Sequence, residues 1–69
     1  MTIMEQLTNR QKEVTSLVAQ GKTQHEIASE LKLSKYTVIN YLRNAREKTG
    51  CRSSVELAVK FSVELAQLT

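Results

Sequence analysis

Ser34-Lys35-Tyr36-Thr37-Val38-Ile39-Asn40-Tyr41-Leu42-Arg43-Asn44-Ala45-Arg46-Glu47-Lys48-Thr49-Gly50 decides the fold. Serine suits a helix N-cap, because its hydroxyl accepts a hydrogen bond from a free amide of the first turn. Glycine suits the left-handed residue that ends a helix. Between them Val38, Leu42, Ala45 and Thr49 recur at spacings of four, three and four, which lines them up on one helix face. That face requires a core. The opposite side carries Tyr36, Ile39, Asn40, Arg43 and Glu47, with Arg46 at its edge. Arginine and asparagine are suited to bidentate hydrogen bonds with guanine and adenine edges in a DNA major groove. Ile39, off the core face, is odd in a purely structural helix and fits contact with a thymine methyl.

Three more helices flank this one. Thr8-Asn9-Arg10-Gln11 is a capping box: Thr8 takes the amide of Gln11, and Gln11 reaches back to that of Thr8. The helix it opens runs from about Asn9 to Gln20, buries Val14, Leu17 and Val18, and stops at Gly21. Thr23-Gln24-His25-Glu26 is a second capping box, opening a short helix to about Leu31 with Ile27, Ala28 and Leu31 inward. Lys32 and Leu33 form a tight turn into Ser34, so the two helices make a helix-turn-helix unit. Ser53-Ser54-Val55-Glu56 opens the last helix, which ends at Ala66 or Gln67. Leu57, Phe61, Leu65 and Leu68 make its core stripe, with Ala58 at the border. Val55, Val59, Val63 and Ala66 make a second apolar stripe on another side. That is either a broad core face or a partner surface. Residues 1–6 read as a short, uncapped, flexible segment, and 7–69 as one all-α domain of four helices.

Composition narrows the function classes. A 69-residue chain buries only about 60% of its unfolded surface, so stability is limited. One cysteine allows neither an internal disulfide nor a four-cysteine zinc site, and Cys51 reads as an apolar filler in a reduced, cytoplasmic protein. The single histidine, His25, has no companions at metal-ligand spacing. No apolar run approaches the roughly 20 residues of a membrane span. No cofactor, metal or catalytic site is expected: the chain has no nucleophile–base pair, glycine-rich phosphate loop or acidic cluster. The net charge is +3, but Lys35, Arg43, Arg46, Lys48 and Arg52 against Glu47 place +4 between residues 35 and 52. This is either a solvated basic face or the footprint of a phosphate-binding surface.

The pattern Leu7-Thr8-x-Arg10-x-x-Glu13-Val14, Gly21-x-Thr23-x-x-Glu26-Ile27-Ala28-x-x-Leu31-x-Leu33-Ser34-x-x-Thr37-Val38 and Lys48-x-Gly50 resembles the LuxR-type, GerE-like helix-turn-helix domain of bacterial transcription regulators. The likeness extends from about Leu7 to Phe61. Thr37-Val38-x-x-x-Leu42-Arg43-Asn44-Ala45 leans toward the quorum-sensing regulators. Departures are Tyr41 for a frequent histidine, Thr49 for leucine, Ser54 for arginine and Ile39 for a polar or basic residue. They bear on the target sequence rather than on the mode of binding.

The resemblance implies a sequence-specific regulator that binds double-stranded DNA as a homodimer, with the third helix in the major groove and the fourth at the dimer contact. It assigns Ile39, Asn40 and Arg43 to base reading, where the helical wheel also turns them outward, and Arg46 to a base or a phosphate. Thr23, Ser34, Lys35 and Thr37 cluster at two helix starts, where free amides and the positive dipole end favour a phosphate. Lys22 and Tyr36 extend that set. Val55, Val59, Val63 and Ala66 form the dimer stripe. RNA polymerase or a full-length relative are further partners. The alternative reading is a helical adaptor or anti-activator that heterodimerises with such a relative. The chain reads either as a freestanding regulator or as a domain cut from a longer protein.

Overall fold

The computed structural model describes residues 2–68; Met1 and Thr69 lie outside the described residues. Five helices follow in order: α1 (Ile3–Gln6), α2 (Asn9–Ala19), α3 (Gln24–Leu31), α4 (Lys35–Thr49) and α5 (Ser54–Gln67). The four helices read from sequence are α2 to α5, and no strand occurs among the described residues. Helix α2 packs on α4 and α5, and α3 packs on α4. Val14, Ile27, Val38, Leu42, Ala45, Leu57 and Phe61 form the common core, closed by Leu7, Leu17 and the buried, free Cys51.

Side-chain caps define the helix starts. Thr8 with Gln11 and Thr23 with Glu26 form complete capping boxes. At α5 Ser53 accepts from the Glu56 amide, but the Glu56 carboxylate takes the amide of Arg52 (2.6 Å) instead of that of Ser53. The box is thus shifted by one residue. Helices α2 and α3 close in the same way. The Lys22 amide donates to Leu17 O and Gly21 to Val18 O; the Leu33 amide donates to Ala28 O and Lys32 to Ser29 O. Both closures require a left-handed residue, Gly21 (φ +89°) in one and Lys32 (φ +57°) in the other. A lysine there costs about 1–2 kcal/mol of backbone strain, offset by the two bonds and by Leu33 packing against the core. The turn between α3 and α4 is thereby held in one geometry. At the end of α4 the Thr49 hydroxyl donates to Ala45 O (2.8 Å), which explains a polar residue on the core line.

Two expectations are corrected. The start of the chain is not uncapped. Thr2 caps α1, Ile3 is buried, and the amides of Ile3 and Met4 donate to the two carboxylate oxygens of Glu64 on α5 (2.8 and 3.0 Å). The partner lies 61 residues away along the chain, where no local pattern points to it. The expected core stripe of α5 also stops at Phe61. Leu65 is 44% exposed and Leu68 71%, at the rims of open hollows that α5 shares with α2 and with α1.

Two polar residues of α2 are buried, Gln11 and Thr15. The carboxamide oxygen of Gln11 accepts from the Thr8 amide (3.0 Å) and from Lys48 Nζ (3.3 Å), joining α2 to α4. Thr15 Oγ1 is buried with no hydrogen-bond partner. Such a hydroxyl costs about 1–3 kcal/mol, and valine has the same shape and nearly the same helix propensity. Thr15→Val is therefore expected to stabilise the domain by about 1 kcal/mol. The urea midpoint should rise with an unchanged slope; a lower midpoint would show that the hydroxyl is bonded in solution.

Candidate nucleic-acid interface

The helix-turn-helix unit places two helix starts, those of α3 and α4, on one chain segment. They differ electrostatically. Helix α3 carries Glu26 in its first turn; α4 has no acidic residue there and begins with Lys35. The Glu26 carboxylate accepts the Thr23 amide (2.8 Å), and that bond, helped by the Thr23 hydroxyl, holds its carboxyl below the usual carboxylate range. A lowered folded-state pKa means that this cap contributes at neutral pH and fades as pH falls through the acid range. The ionised Glu26 already neutralises the positive end of α3. The start of α4 has no such carboxylate, so its positive dipole end is not offset by an acidic residue of its own first turn. Ser34 accepts the Thr37 amide (3.0 Å), and the Ser34 and Thr37 hydroxyls lie 2.8 Å apart.

The predicted phosphate residues thus fall into two groups. Ser34, Lys35, Tyr36 and Thr37 sit together at the start of α4, with Tyr36 68% exposed. Thr23 sits beside Glu26, and the Lys22 ammonium pairs with Glu30 (3.6 Å), so both are tied to α3. Of the predicted base readers, Arg43 is exposed and Ile39, Asn40 and Arg46 are half-buried. Arg43 and Arg46 line one shallow hollow with Glu47, Cys51 and Arg52. Lys48, counted in the basic excess, turns toward Gln11 of α2. Arg52 lines the hollow but lies beyond the helical wheel of α4, so spacing along the helix does not reveal it. The nearest signal is its position two residues after Gly50.

On α5 the second stripe is exposed: Val55 is 70%, Val59 57% and Val63 52% accessible, and Ala66 is exposed on the same face. A hollow lies on each side of the ridge. One is lined by Val18, Ala19 and Ala58, the other by Ile3, Gln6 and Thr49; Val59 and Val63 border both. Among the described residues no helix is long and apolar enough to cross a membrane.

Residues 5–61 match the family described as "GerE: Bacterial regulatory proteins, luxR family". The chain is 44% identical to the Bacillus subtilis spore germination protein GerE over 54 residues, covering 78% of this chain and 73% of that protein. It is 46% identical over 52 residues to the Escherichia coli response regulatory protein YgeK, covering 75% of this chain but 35% of the relative. The Brucella ovis quorum sensing-dependent regulator VjbR is 42% identical over 45 residues, 65% of this chain and 17% of that protein. The likeness therefore extends to response and transcriptional regulators outside the quorum-sensing group. The chain spans most of GerE and about a third or less of the other two. With the match over residues 5–61 and the five-helix frame together, the chain belongs to the luxR family of bacterial regulatory proteins, as a DNA-binding helix-turn-helix domain of transcription regulation.

Proposed function

We propose that α4 lies in the DNA major groove and reads sequence through Ile39, Asn40, Arg43 and Arg46. Ser34, Lys35, Tyr36 and Thr37 hold the phosphate backbone at the start of α4, with Thr23 and Lys22 as weaker contributors. The observation that carries this reading is the start of α4, a positive helix end with no acidic residue in its first turn, leading into a face with the exposed Arg43, which forms no ion pair among the described residues. Two domains associate through Val55, Val59, Val63 and Ala66 of α5, giving two copies of α4 related by a twofold axis. Phosphate and base contacts then separate experimentally. Arg43→Ala costs about 1–3 kcal/mol on the preferred site and relaxes specificity there. Lys35→Ala weakens binding to every sequence and makes the salt slope shallower by about one. Fluorescence anisotropy on selected and random duplexes checks both; equal loss on both duplexes for Arg43→Ala would remove it from base reading.

The exposed valine stripe also supports a second reading, an adaptor that heterodimerises with a longer relative. A protein that dimerises through α5 yet binds no duplex in a salt-dependent gel shift would favour it. Contacts with RNA polymerase belong to the same class of partner surface.

A further inference from the structure

The two ends of α4 pose different problems to a DNA backbone. A 15-residue helix is about 22 Å long, whereas the major groove is about 12 Å wide, so both helix ends reach the groove walls. The start of α4 attracts phosphate through its amides. Its C-terminal end carries about −0.5 of a charge, which disfavours one. The last turn sets Arg46 and Lys48 against it, but Lys48 is drawn to Gln11 and Arg46 is assigned to base reading, so a further cation fixed beyond that end is needed to hold the second strand.

Arg52 meets this need. Gly50 turns the chain in the left-handed region (φ +74°), and Cys51 is buried beside it. The Arg52 amide is held by the Glu56 carboxylate at 2.6 Å. The side chain therefore starts from a fixed point and lines the hollow that also holds Arg43 and Arg46. Among the described residues no carboxylate forms an ion pair with it, although Glu56 lies near enough to feel its charge. The Glu56 carboxylate already accepts the Arg52 amide and pairs with Lys60 (3.8 Å). Among the described residues, Glu47 forms no ion pair with Arg43, Arg46 or Arg52. Three guanidiniums against one carboxylate leave the hollow strongly positive next to the proposed base-reading face.

We infer that Arg52 is a phosphate anchor for double-stranded DNA at the C-terminal end of α4, gripping the strand opposite the one held by Ser34 and Lys35. This rests on α4 lying in the major groove as proposed. Arginine suits the task, since its planar fork matches two phosphate oxygens at once.

The test is titration of the whole chain and its Arg52→Ala and Arg52→Lys variants with a selected duplex and a random duplex over a range of salt. Arg52→Ala should lose affinity by roughly tenfold on both duplexes alike, with a slope shallower by about one. Arg52→Lys should keep the slope, because it keeps the charge. Unchanged affinity and slope in Arg52→Ala, or a loss confined to the selected duplex, would overturn the assignment while α4 in the groove stands. A wild-type chain that binds neither duplex would overturn the groove placement itself, and is recognised before any variant is compared.

Discussion

Leu42→Ala is expected to abolish DNA binding by unfolding the domain, although Leu42 touches no nucleotide in the proposed complex. Its side chain is buried in the middle of α4 within the cluster of Val14, Ile27, Val38, Leu57 and Phe61. Removing it deletes transfer energy and leaves a cavity, together about 2–5 kcal/mol. At about 0.05–0.15 kcal/mol per residue, a domain this small holds about 3–10 kcal/mol in total, so the loss takes a large part of it. Helical circular dichroism at 37 °C should fall with binding, and random and selected duplexes should be lost together. The contrast with Arg43, the next residue along, is diagnostic. Arg43→Ala keeps the fold and loses specificity, whereas Leu42→Ala loses the fold. A Leu42→Ala variant with an unchanged melting temperature would contradict the packing of α4.

Val59→Asp should separate association from folding. Val59 is exposed in the monomer, so an aspartate there stays hydrated, and at concentrations where wild type is monomeric the melting curve should not move. In a twofold contact the same residue faces its own copy, and two carboxylates would be desolvated against apolar side chains. Burying such a charge without a partner costs several kcal/mol. Sedimentation should give a monomer at concentrations where wild type dimerises. Weak non-specific DNA binding should persist. Cooperative occupancy of a near-palindrome, with half-sites about 34 Å apart, should disappear. A variant that still dimerises would move the interface elsewhere, and one that unfolds would place Val59 in the intramolecular core.

The helices and their core faces were legible in the sequence because their signals are local. Capping boxes and glycine stops span a few residues and apolar spacing a single helix, and tertiary packing agrees with them. What escaped depends on distant partners or on backbone geometry. Helix α1 is fixed by Glu64, far along the chain. Lys32 adopts a conformation that glycine usually marks, so composition gave no warning of it. Leu65 and Leu68 keep the helical period of the core after the core has ended. At the interface, helical period assigns the side facing away from the core but not which cations remain available. Lys22 and Lys48 count toward the basic charge yet turn to Glu30 and Gln11.

The attachment of α1 to Glu64 also closes the polypeptide almost into a ring. Thr2 and Leu68 line one hollow together with Met4, Glu64 and Gln67, so the ends of the described chain are spatial neighbours. Chains with adjacent ends tolerate circular permutation, because a short bridge can join them without disturbing the packing. The exposed turn at Gly21 offers the opening, since it lies between α2 and the helix-turn-helix unit and leaves α3 and α4 uninterrupted. In topological terms the order of the five helices is then a matter of where the ring is cut. The permuted form would begin with the helix-turn-helix unit and carry α2 last, with the same core between them.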